Sequence, residues 1–273
     1  MENLRLQGYV SPESFQGTPT EKLQQALDVS RQLDIGRVTV TGNWTVDKPL
    51  RIHAMTELVL DHASLSVSGD FPLLVSSALG DSSRASWSFE DRFIRLTGTE
   101  SAMNGSLIFY HVHHLIISGI ELHGPVKCDF VREARITNCS VFGETGLIIG
   151  RGCNNFIVQG LSGKCDRAAI CIDVSCLAGD PVLGKETEIH ELILQDSSFE
   201  MNVPAIMLQA SEEDQIFNVQ IDHIENHGPI LLVGEQNTPL PETQYYNLTV
   251  VECISHDADP VVLNNPARHC YFS

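Results

Sequence analysis

Gly105-Ser-Leu-Ile-Phe, then His114-Leu-Ile-Ile, then Gly119-Ile-Glu-Leu-His123-Gly: this stretch sets a pattern that the chain repeats to its end. Pro125-Val leads to Arg135-Ile-Thr-Asn-Cys-Ser-Val-Phe-Gly-Glu144. Gly146-Leu-Ile-Ile leads to Asn155-Phe-Ile-Val and Gly160-Leu. Ala168-Ala-Ile-Cys-Ile leads to Glu191-Leu-Ile-Leu. Pro204-Ala-Ile-Met-Leu leads to Asn218-Val-Gln-Ile and His227-Gly. Pro229-Ile-Leu-Leu-Val leads to Asn247-Leu-Thr-Val, and Pro260-Val-Val-Leu closes the series. Each unit holds about three short aliphatic runs parted by small or polar turn residues, over about 20 to 35 residues.

A unit of that size cannot bury its own apolar face, and stacking on its neighbours solves the problem. The pattern therefore predicts an all-β fold, a right-handed parallel β-helix or solenoid. Asn155, Asn218 and Asn247 each precede an apolar run and read as rungs of an asparagine ladder. Extra length falls in turns at 176–188 and 235–244, and residues 76–91 read as an excursion. A leucine-rich-repeat horseshoe is the rival fold, but its leucine spacing and helices are absent.

Upstream of the repeat, Arg37–Val40, Trp44–Val46, Leu50–Ile52, Glu57–Leu60, Ser64–Val67 and Phe93–Leu96 read as separate short strands. Before them, Thr18-Pro19-Thr20-Glu21 is a capping box with Pro at the first helical position. Leu23, Ala26 and Leu27 make one apolar stripe, and Gly36 ends the helix of 19–33. The open end of a β-helix exposes strand edges, so this α-helix is expected as an N-terminal cap. The whole of 1–273 reads as a single domain: 1–36 the N-terminal segment and capping helix, 37–273 the coils.

Composition agrees. Of 273 residues, 42% are hydrophobic and only 7% aromatic, so the core is aliphatic. Seventeen basic against 35 acidic residues give a net charge of −18. Nucleic acid is excluded as a partner, since phosphate binding needs clustered Lys and Arg. Eight cysteines lack CxxC spacing and read as buried free thiols. No stretch reaches about 18 apolar residues, so no membrane span is expected. Residues 1–10 carry no apolar leader core, which reads as cytoplasmic as numbered, or secreted if a leader was removed.

The opening Ser11-Pro12-Glu13-Ser14-Phe15, with Leu23-Gln24-Gln25-Ala26-Leu27, Arg37-Val38-Thr39-Val40 and Trp44-Thr45-Val46-Asp47-Lys48-Pro49-Leu50, resembles the N-terminal entry of pectin-lyase-like β-helix proteins. The body is most similar to the polygalacturonase branch, glycoside hydrolase family 28. That family hydrolyses galacturonan-type polysaccharides; the resemblance implies its fold and not its mechanism. The family's catalytic motifs are not preserved. Its single Asp falls on His123, its Asp-Asp pair on Glu144-Thr145, its His-Gly on Asp166-Arg167, and its Arg-Ile-Lys near Ile206-Met207-Leu208.

Read from the residues alone, His123, Glu144, Asp166, Asn202 and His227, then Asp257 and Asp259, stand near strand starts and would form a row along one edge of the coil. Glu144 and Asp166 on adjacent coils would lie about 5 to 7 Å apart, which suits a glycosidase acid/base pair. One carboxylate beside another also favours the protonated acid that such catalysis uses. His123, Arg167, Lys164 and His227 are the expected substrate-binding residues. The bland alternative is that these polar residues cap turns.

His111 and His113 share a strand face and offer two metal ligands with His114 near by, set against a surface or ladder role. Asp173 with Asp180, and Glu212-Glu213-Asp214, offer oxygen ligands or a solvated loop. Trp44, Trp87, Tyr245 and Tyr246 offer flat faces for sugar rings, or packing. The expectation is no metal and no cofactor. Three functions follow: a glycoside hydrolase acting on a plant or microbial glycan, a non-catalytic carbohydrate-binding relative, and a structural or adhesive β-helix, with a homo-oligomer left open.

Overall fold

The computed structural model describes residues 7–79, 91–174, 187–211, 214–234 and 244–273. Among them, eighteen strands join in one system, and every pairing is parallel. Each strand pairs mainly with its equivalents one coil before and one coil after, as a solenoid requires. The expected parallel β-helix is what the chain forms.

The core is a set of ladders. One runs Val38, Leu58, Leu96, Ile117, Ile136, Val158, Leu194, Ile221, Val250 and Phe272, one rung per coil. Every rung is buried except Phe272, 38% exposed, where the stack ends. Rows of the other two faces converge on the same interior, through residues such as Leu122, Val141, Leu147 and Ile170. Because side chains alternate, the residues between these rungs line an outer row: Arg37, Glu57, Arg95, Ile116, Arg135, Ile157, Ile193, Gln220, Thr249 and Tyr271.

The corners are made by single residues in left-handed backbone. One column holds Met55, Phe93, His114, Glu133, Asn155, Glu191, Asn218 and Asn247, with φ between 54° and 66°. These positions are not glycine, yet the parallel pairings on both sides hold them there. This corrects the reading of many short strands. Leu107–His123 runs unbroken through three left-handed residues, His111, His114 and Gly119, since one such residue turns the chain without ending the strand. Arg37–Val46 likewise is one strand where two were expected.

The helix α1, Pro19–Gln32, forms as its signals require. Thr18 accepts from the Glu21 amide, and the Glu21 carboxylate accepts from the Thr18 amide. It ends at Gln32, before Gly36, because the Leu33 amide closes on Val29 and Asp34 turns left-handed. Its buried Leu23, Ala26 and Leu27 join the main core, and Val10 adds a short parallel bridge to Val38. Thr20 bonds Asp47, Gln24 bonds the Arg51 backbone, and Asp28 meets His53 at 2.8 Å. The cap is thus pinned to the first coil by polar contacts around an apolar centre.

Seven cysteines are described, and all are free thiols. Cys128, Cys139, Cys153, Cys165 and Cys171 are buried, as expected for small hydrophobes in apolar runs. Cys176 lies outside the described residues.

Candidate functional site

The gapless row expected along one edge does not form as drawn. His123 pairs with Phe142 one coil on, and their rings stack at 4.9 Å and 14°. Phe142 in turn pairs with Lys164. The reason is turn length. The coil after His123 needs only Gly124 and Pro125 to reach Val126, whereas the next takes Gly143 to Gly146 to reach its partner Leu147. Glu144 is extra length, so nothing on the preceding coil matches it.

Glu144 and Asp166 do fall opposite each other in register. Gly143 pairs with Cys165 and Thr145 with Ala168, so Glu144 faces Asp166 and Arg167 across a bulge. Both carboxylates are exposed. The Arg167 guanidinium donates to Gln209 Oε1 at 3.0 Å, and Lys164 is exposed. His227 Nδ1 lies 3.1 Å from Asp257, and its ring lies 5.3 Å from that of His256. His123 Nε2 contacts Glu121. The register sets Glu144 opposite Asp166 and Arg167; His123, Phe142 and Lys164 form the neighbouring column, which continues toward His227 because Ser162 pairs with Ser198 and Ser198 with Glu225.

The remaining candidates take the following places. Trp44 and Tyr245 are core residues, and the Tyr245 hydroxyl accepts from the Ala210 amide at 2.7 Å. Tyr246 stacks on Phe217, and Phe217 on His190, in one column. Asp214 is buried, paired with Arg151 at 3.1 Å and bonded by Thr187. Trp87, Asp180, Glu212 and Glu213 lie outside the described residues, as do most of the loops at 176–188 and 235–244. His111 is fully buried in left-handed backbone, its ring stacked on Phe130, so it does not share a ligand face with His113.

A groove that sequence reasoning missed runs over the corner column. It holds about 400 Å³ and is lined by Asn155, Ile157, Glu191, Ile193, Asn218, Gln220, Asn247 and Thr249 with the backbone between them. Asn247 Nδ2 donates to Asn218 Oδ1 at 2.6 Å, so part of the expected ladder exists. Glu191 occupies the rung between Asn155 and Asn218, and Asn155 turns its amide toward Asn154 instead. The signal was present: the residue just before each apolar run names the column. Reading only its asparagines hid Glu191.

The same column, followed toward the N-terminus, brings His114 and Glu133 together. Glu133 lies 2.6 Å from His114 Nε2 and 3.2 Å from His113 Nε2. Farther along the chain, His223 stands between Asp222 at 2.7 Å and Glu252 at 2.6 Å.

No family model matches the chain, and no curated protein matches it. Solved structures do. The tailspike of E. coli bacteriophage HK620, solved with a pentasaccharide, aligns over 99% of this chain and 66% of its own, with TM-score 0.60 and 10% identity. The fold is the right-handed parallel β-helix. PfbA, a surface adhesin of Streptococcus pneumoniae, covers 97% of this chain and 93% of its own at TM-score 0.54 and 10% identity. A Yersinia enterocolitica family 28 exopolygalacturonase covers 96% and 78% at TM-score 0.52 and 9% identity. Likeness at this level carries the architecture and no residue roles.

Proposed function

We propose that this chain is a carbohydrate-binding β-helix that lays a short oligosaccharide along its axis, over Asn155, Glu191, Asn218 and Asn247. The observation that carries this reading is the lining of the groove. Ile157 and Ile193 supply an apolar strip, and amides and a carboxylate repeat beside it once per coil, roughly every 4.8 Å. A sugar chain offers a matching alternation of apolar ring faces and hydroxyls. Asn and Gln amides both donate and accept, as hydroxyls do. The lining includes Glu191 and no Lys or Arg, and the net charge is −18, which favours neutral over uronic sugars. Fold neighbours that hold a pentasaccharide or are exopolygalacturonases support a carbohydrate ligand. Affinity for neutral plant and bacterial oligosaccharides, measured on wild type and Ile193→Lys, tests it: binding that the lysine abolishes supports the groove.

A second reading rests on Glu144 standing against Asp166. Here the chain is a glycoside hydrolase of plant or microbial glycans. The pair serves as acid and base, and Arg167, Lys164, His123 and His227 serve as substrate-binding residues. The groove lies on the strand Asn154–Gln159, and the chain passes a corner at Gly160 and a further strand face before it reaches Asp166. The two sites are on different faces, so binding and turnover can be assayed and lost separately.

A further inference from the structure

We propose that His113, His114 and Glu133 form a site for a borderline divalent transition metal such as zinc. The inference is independent of the carbohydrate reading. The Nε2 atoms of His113 and His114 face the two oxygens of one carboxylate, at 3.2 and 2.6 Å. All three ligand atoms lie within 4.8 Å of one another. Ligands around a tetrahedral zinc stand roughly 3.3 Å apart, given bonds of about 2.0–2.1 Å. The cluster therefore accepts an ion once the carboxylate withdraws from His114 by about 0.7 Å, a small rotamer adjustment for a half-exposed Glu133.

The fold builds this arrangement. His114 and Glu133 occupy the same left-handed corner on adjacent coils, with φ of 66° and 56°. Leu115 pairs with Ala134, which fixes their register. The turn at His114 swings two successive imidazoles toward one side, with ring centroids 4.0 Å apart. Phe93, the rung before, stacks on His114 at 4.5 Å and 15° and holds that ring in place. Two imidazoles and one carboxylate select zinc, cobalt, nickel or copper over calcium and magnesium, which take oxygen ligands. Three protein ligands leave a position open, as in metal sites that bind a further molecule. Arg92 and Arg132 stand in register on either side of His113, and their charge moderates the affinity for a dication. The next rung after Glu133 is Asn155, where the groove begins.

Titration of the full chain with cobalt(II), followed by its visible absorption and checked with zinc competition, tests the site. Wild type is expected to bind one equivalent with a nitrogen–oxygen spectrum. His114→Ala and Glu133→Gln are each expected to weaken binding by at least about tenfold, by comparison with the loss seen for mere supporting residues. Glu133→Gln keeps size and hydrogen bonding, so it guards against a folding artefact, and circular dichroism confirms the coil in each variant. His223→Ala is expected to change nothing. Absence of saturable binding would overturn the proposal. So would thiolate-to-cobalt charge transfer, or binding that survives Glu133→Gln but falls in His223→Ala.

Discussion

Glu144 stands opposite Asp166 across a bulge, one residue of its coil facing two of the next. The bulge exists because successive coils spend different numbers of residues on the same corner. Bulges of this kind re-aim side chains, and here two exposed acidic residues stand on opposed positions. If hydrolysis occurs at this corner, Glu144→Gln and Asp166→Asn each lower turnover of a cleaved glycan by at least about a hundredfold, the usual scale for a general acid or base. Affinity at the groove, on another face, stays unchanged. Product release by chromatography, with binding measured in parallel, checks both halves.

Asp166 also reaches Cys165 through its charge. Burial first, and Asp166 second, push the Cys165 thiol up to about 11. Burial, with Asp129 behind it, raises Cys128 too, and burial raises Cys139. A raised value in the folded state means the stabilising contribution is fully present below the free thiol's pKa, about 8.5. It is lost as pH climbs from there through about 11 for Cys165. Cys128, Cys139 and Cys165 are therefore expected to resist alkylation at pH 8 in the folded chain and to react on unfolding. Asp166→Asn moves Cys165 reactivity to lower pH. Mass spectrometry of labelled peptides reads each thiol.

Two glycines separate what a corner needs from what a wall forbids. Gly42 has φ of 74° and open space where a Cβ would sit. Gly163 has φ of 132°, and its Cβ would meet the Val141 carbonyl oxygen at 2.0 Å. Gly42→Asn is expected to cost less than about 1 kcal/mol, since Asn tolerates left-handed backbone. Gly163→Ala is expected to cost about 2 kcal/mol or more, because strain and collision add. Urea unfolding of both variants compares them.

Leu194 is a mid-stack rung between Val158 and Ile221, with no exposure. Leu194→Ala is expected to lower stability by about 2–5 kcal/mol, as for other buried leucines. Thermal unfolding gives the value. A smaller loss would mean that the stack collapses onto the vacancy.

The repeat made the fold legible, because aliphatic runs at a coil's spacing have few other ways to be buried. The capping helix was equally legible from Thr18, Pro19 and Glu21. The strand boundaries were not, because His114 and Glu133 turn corners without any turn-forming composition. The register at Glu144 was not legible either, since a gapless overlay cannot foresee that Gly124 and Pro125 do the work of four residues one coil later. The groove escaped for a simpler reason: Glu191 and Gln220 look like ordinary surface until the stack brings them beside Asn155 and Asn218. The proposed metal cluster was legible only in part: His113 and His114 were named with His111, but Glu133 was not, because only the stacking of coils brings it beside them.

Hydrogen exchange with and without bound sugar tests the central claim most directly. The probe is the tightest binder among neutral pentasaccharides of plant and bacterial origin. The account predicts slowed exchange at Asn155–Ile157, Glu191–Ile193, Asn218–Gln220 and Asn247–Thr249, and no change at Glu144 or Asp166. Protection confined to the Glu144–Asp166 corner, or no binding by any member of the panel to the folded chain, would contradict it.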